Sequence, residues 1–209
     1  MTNAVLAKLR AFVTGVPVEA CELCAESISV EHEHLLEPDA RRVFCACQAC
    51  AALFAQEQQR QGARYLRVER RAARLQELDI DDATWADMGV PVGLAFFTVR
   101  ARTGEVVATF PGRAGIIESF VPLKAWSELE RRFSLLKGLQ PDVEALLVRR
   151  TVRHQDYFQV SIDHCYELSG LLRSSDAPLS SPELAVVHGF FARLDEQAGQ
   201  TRHSRRPGS

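Results

Sequence analysis

Cys21-Glu-Leu-Cys24 is followed after twenty residues by Cys45-Ala-Cys47-Gln-Ala-Cys50, and five of the chain's six cysteines fall in this stretch. Two Cys-x-x-Cys pairs at this separation have the spacing of a structural zinc site. A Cys-x-x-Cys turn aims two thiolates at one point, and a second such pair completes a tetrahedron with Zn–S bonds of about 2.3 Å. The second pair directly precedes an Ala/Gln/Glu-rich run from Ala51 to Gln61, which has no Pro or Gly and reads as a helix. That helix's N-terminus would favour thiolate charge. A knuckle, a linking segment and a helix carrying ligands at its start predict a treble-clef-like module with Cys21, Cys24, Cys47 and Cys50 as ligands.

The set of four has alternatives. Cys45 could replace Cys47, and His32 or His34 could replace a thiolate, so these three stand as alternative ligands or ligand-orienting neighbours. Four thiolates also serve iron or an iron–sulfur cluster, which is the alternative to zinc. Glu31-His-Glu-His34, between the two pairs, suits a second metal site or the catalytic loop of a His-metal finger nuclease, which it resembles in position. The Asn and further His that such nucleases place near the second pair are absent. Alternation places His32 and His34 on one face, which equally suits an exposed hairpin strand.

Away from the cysteines the reading is α+β. Residues 3–13 have helical apolar spacing. Val90 to Val99 and Val106 to Phe110, joined through Arg102-Thr-Gly-Glu, read as a β-hairpin, and Pro111-Gly112 as a break. Pro122 opens a helix that runs to Gly138. Val143–Val148 and Tyr157–Ile162 read as strands, Asp163 as the cap of a helix through Leu172, Ser174–Pro182 as a polar linker, and Pro182–Leu194 as a last helix. This predicts an N-terminal helix and Cys/His module over residues 1–61, an α+β domain with a small, mostly antiparallel sheet over 62–196, and a flexible tail over 197–209.

The remaining signals narrow function mainly by exclusion. The formal charge of −2 and pI near 6.3 give no global pull toward nucleic acid or anionic membranes. Six arginines lie between Arg60 and Arg74, but acidic residues interrupt them, which predicts a solvated helix face. Asp163-His164-Cys165 sets acid, imidazole and thiol side by side. Neighbours along a helix do not face one another, so it reads as a capping Asp, a rim His and a core Cys. No Walker loop, dinucleotide fingerprint, nucleophile elbow or His-Glu-x-x-His helix occurs, so an enzyme is not supported. With no secretory or membrane-spanning pattern, a cytoplasmic protein without membrane insertion is expected.

Several stretches together resemble a known family: Cys21-Glu-Leu-Cys24, Glu31-His-Glu-His-Leu35, Arg42-Val-Phe-Cys-Ala-Cys-Gln-Ala-Cys50, Pro91-Val-Gly-Leu-Ala-Phe-Phe97, Pro141-Asp-Val-Glu-Ala-Leu-Leu147 and Ile162-Asp-His-Cys-Tyr-Glu-Leu168. The combination resembles an uncharacterised protein family encoded beside actinobacterial-type, high-affinity nickel–iron hydrogenases. The resemblance implies a context of maturation, assembly or electron delivery, with a hydrogenase subunit or an assembly factor as protein partner. The expected function is a zinc-stabilised, non-catalytic accessory protein. Its alternatives are a redox or metal/cluster-transfer protein using the cysteines and, further off, a finger-type nuclease or nucleic-acid binder.

Overall fold

The computed structural model describes residues 19–57, 63–112, 115–152, 155–174 and 185–204. The helix expected over residues 3–13 lies outside them, as does nearly all of the polar linker. The chain divides into two compact units, Met1–Glu69 and Arg70–Ser209. The architecture is α+β and antiparallel, as the sequence predicts, with two sheets of three and six strands rather than a single small one.

The first unit holds strands β1 (Glu33–Glu37), β2 (Arg42–Ala46) and β3 (Leu66–Val68) in the order β2-β1-β3, with helix α1 (Gln48–Glu57) after β2. Period-two alternation sorts the hairpin. Leu35 pairs with Phe44 and Glu33 with Ala46 on one face, while His34 pairs with Cys45 on the other. Leu35, Phe44 and Ala46 form a buried cluster with Cys21 and Tyr65, against which Leu23, Ile28, Cys47, Cys50 and Phe54 pack. Because β3 pairs with β1, the first unit runs past Gln61 to Glu69.

In the second unit, β4 (Ala72–Arg74), β5 (Leu94–Val99), β6 (Val106–Gly112), β7 (Gly115–Phe120), β8 (Glu144–Arg150) and β9 (Gln155–Ser161) form one sheet in the order β4-β9-β8-β5-β6-β7. Its helices are α2 (Asp82–Asp87), α3 (Leu123–Arg132), α4 (Ile162–Arg173) and α5 (Ala185–Ser204), with a 3-10 turn over Ser134–Gly138. Trp85, Trp126 and Leu129 of α2 and α3 cover the face carrying Phe97, Ala108, Leu146 and Tyr157. Phe96, Leu147 and Phe158 are aligned across β5, β8 and β9 on the other face, where Phe158 meets Phe191 of α5 at 5.8 Å between ring centroids. Burial on both faces explains why β5 and β8 read as apolar runs rather than alternating ones.

Several local expectations change. The helix begun at Pro122 ends at Phe133, which leaves the helical region at φ −128° and ψ 86° before the 3-10 turn. Pro111-Gly112 is the end of β6, not a break, and pairs with the outer strand β7. The pairing of β6 with β5 ends at Thr109, so at Pro111 the strand has β7 on one side only and the missing N–H is tolerated. Residues 197–209 are not all tail, since α5 continues to Ser204 and Ala198 is buried in it. Strands β3 and β4 and helix α2 fall in segments too short for apolar periodicity to register.

Candidate metal centre

The first Cys-x-x-Cys pair sits in a tight turn. Cys21 donates its N–H to the Glu26 carbonyl and accepts one from Ala25, each at 2.8 Å, and Ala20 bridges to Ser27 behind it. Closing this turn puts Ala25 in the left-handed region at φ 63°. The second pair straddles the end of a strand. Strict alternation would send Cys45 and Cys47 to the same face, but β2 ends at Ala46 and the chain then turns into α1. Ala51 N–H bonds the Cys47 carbonyl at 2.9 Å, and Cys50 N–H points at the Cys47 sulfur from 3.4 Å. Cys47 therefore leaves the sheet and faces Cys24, sulfur to sulfur at 3.6 Å.

The outcome is that donor atoms of Cys21, Cys24, Cys47 and Cys50 all lie within 4.8 Å of one another. Two ligands on a tetrahedral ion with bonds of about 2.3 Å stand about 3.8 Å apart, so the Cys24–Cys47 separation suits a shared ion.

The electrostatics point the same way. Burial pushes the Cys21 thiol up, but N–H groups of Cys47, Leu23 and Cys24 aimed at its sulfur bring it down to about 6. The Glu26 N–H favours the Cys24 thiolate, yet the neighbouring sulfurs of Cys21 and Cys47 leave that thiol raised. Burial, then the sulfurs of Cys24, Cys47 and Cys21, push Cys50 well up. The Cys21 thiolate is thus prepared while Cys24 and Cys50 resist ionising beside it, a conflict that a cation at the centre would resolve.

Glu22, inside the first pair, is a supporting residue that spacing rules do not flag. Its carboxylate accepts the Cys45 N–H at 2.8 Å and the Arg42 guanidinium at 2.6 Å, and its own N–H bonds the Cys45 carbonyl. The knuckle is thereby tied to β2. Cys45, His32 and His34 are not in the four-sulfur group. Their donor atoms gather separately, also within 4.8 Å of one another.

The other motifs fall into structural roles. Ser161, not Asp163, occupies the N-cap position of α4. His164 is no rim residue. It is 1% exposed and bridges the Ser161 hydroxyl and the Gln197 amide oxygen at 2.9 and 3.0 Å. Cys165 is fully buried, and burial followed by the charge of Asp163 raises its thiol well above the ordinary value. The arginines from 64 to 74 are on or beside strands, not on a helix face. Arg64 pairs with Glu37 and Arg67 with Glu33 in the first unit. Arg70 pairs with Glu167, Arg71 with the buried Glu144, and Arg74 with Asp156 and Asp195 in the second.

No helix among the described residues is long and apolar enough to cross a membrane. No curated protein and no solved structure matches the chain. One family does match, over residues 20–198, a span that takes in the four-cysteine centre and both sheets. The chain therefore belongs to the family of unknown function DUF5947.

Proposed function

We propose that this chain is a zinc-stabilised, non-catalytic accessory protein that binds a protein partner. The nickel–iron hydrogenase setting comes from the sequence resemblance alone. The observation that carries the proposal is the convergence of four sulfurs on a knuckle, a hairpin end and a helix start. An all-cysteine tetrahedral set leaves no open coordination position, which is how structural zinc sites are built. Partner binding is supported by the outer strand β7 and the residues after it, where Ile117, Phe120 and Leu123 are 45%, 61% and 73% exposed. An outer strand also carries unpaired backbone groups that a partner can meet.

The test is metal content and a visible spectrum on protein purified without oxygen, followed by capture with purified hydrogenase subunits and assembly factors. Colourless, zinc-containing protein that retains one of these components meets the proposal. Iron with charge-transfer bands would overturn the zinc assignment and favour electron or cluster transfer. No affinity for any hydrogenase component would remove the proposed setting.

A further inference from the structure

The second donor group is built differently from the first. His34 and Cys45 are register partners across β1 and β2, so their side chains leave the same face of the hairpin. That face is opposite the one carrying Leu35, Phe44 and Ala46, which packs toward the four-cysteine centre. His32 joins from the segment just before β1. Its Nε2 lies 3.2 Å from His34 Nε2 and the rings meet edge to face.

The outer side of His32 is fixed. Its Nδ1 donates to the Ser29 carbonyl at 2.9 Å, and the Glu19 carboxylate stands 3.5 Å from the same nitrogen. A carbonyl only accepts, so this bond places the proton of the neutral ring on Nδ1 and leaves Nε2 as a bare lone pair. A carbonyl or carboxylate on the far nitrogen is how metal-bound imidazoles are commonly held. The Ser29 hydroxyl in turn donates to the Glu31 carbonyl, closing the turn that carries His32. Two nitrogens bound to one tetrahedral ion at about 2.05 Å stand about 3.3 Å apart, close to the observed 3.2 Å.

We propose that His32, His34 and Cys45 form a second metal site, separate from the four-cysteine centre. It would take one four-coordinate transition-metal ion of borderline softness, foremost zinc, through the two Nε2 atoms and the Cys45 sulfur. Three protein donors leave a fourth position for water or a ligand from another molecule, so the site would be open where the four-cysteine centre is closed. The competing account is a plain N–H···N bond between the histidines, which has no use for the sulfur. The proposal does not depend on the function proposed above, because iron in the first site would leave it standing.

The test is anaerobic titration of the metal-free full chain with Co²⁺, followed by its ligand-field and thiolate-to-cobalt bands. The wild-type chain is expected to bind two equivalents, one with the intense bands of four thiolates and one with those of a single thiolate. Cys45→Ser and His34→Gln are each expected to halve the stoichiometry while keeping the four-thiolate bands, which also certifies that the first unit has folded. If Cys45→Ser loses both equivalents, His34→Gln decides, since it removes a donor without altering the strand that leads into Cys47. Saturation of the wild-type chain at one equivalent would overturn the proposal, as would two equivalents retained in His34→Gln.

Discussion

The two units bury very different amounts of apolar side chain. Between Cys21 and Val68 the described residues include eight buried apolar ones, two of them alanines, whereas thirty-six lie between Ala72 and Ala198. The second unit's sheet is covered on both faces, and one cluster alone joins eighteen residues, including Trp85, Phe97 and Trp126. The first unit's cluster has five, and one of these is Cys21 of the four-sulfur group. Domains this small rarely close the gap between burial and chain entropy without disulfides or metal. The comparison teaches that packing accounts for the second unit's fold, whereas the first unit has little packing beside a four-sulfur cluster able to hold a metal ion.

The largest effect should follow from removing one sulfur. Cys24→Ser is expected to unfold residues 21–57, because metal binding and folding of such a module are one event. Limited proteolysis with mass spectrometry checks this. Residues 21–57 should become cleavable while the sheet of the second unit stays protected, and a strong chelator should give the same pattern in the wild-type chain. Continued protection of the segment in the variant would show that packing alone holds the first unit.

The complementary break is Phe97→Ala. Phe97 is fully buried, with Trp85 and Trp126 at 5.8 and 5.9 Å between ring centroids. Emptying such a site costs about 3–5 kcal/mol. Thermal melting should show a large drop in the second unit's midpoint with no change in metal stoichiometry. Loss of bound metal in this variant would mean that the units do not hold themselves independently.

The sequence was most legible where chemistry sets the spacing. The repeated x-x interval alone singled out Cys21, Cys24, Cys47 and Cys50, the four whose donor atoms the structure gathers, and apolar runs marked β5, β6, β8 and β9. What escaped was geometry set by partners distant in sequence. Cys45 and His34 are eleven residues apart and meet only because the hairpin register places them opposite each other. The arginines looked like a solvated helix because their carboxylates, such as Glu144 and Asp156, lie on other strands. Asp163 looked like a cap because aspartate often is one, while the cap position went to Ser161. A period or a spacing survives in one dimension, and a cross-strand pairing does not.

The smallest change sharpens the comparison at the knuckle itself. Ala25 donates its N–H to the Cys21 carbonyl, and its φ of 63° turns the chain back so that the Cys21 N–H meets the Glu26 carbonyl. A non-glycine residue there carries roughly 1–2 kcal/mol of strain from its Cβ. Glycine removes the strain but adds about 0.4–1 kcal/mol of unfolded-chain entropy to be lost on folding. Ala25→Gly should therefore stabilise the first unit by a net of about 0.5–1 kcal/mol. Competition against a chelator of known affinity would register this as roughly two- to five-fold tighter metal retention. The second unit's melting should not move. If metal retention were unchanged, the turn would be strained without that strain opposing coordination, and the thiolates rather than the backbone would limit affinity.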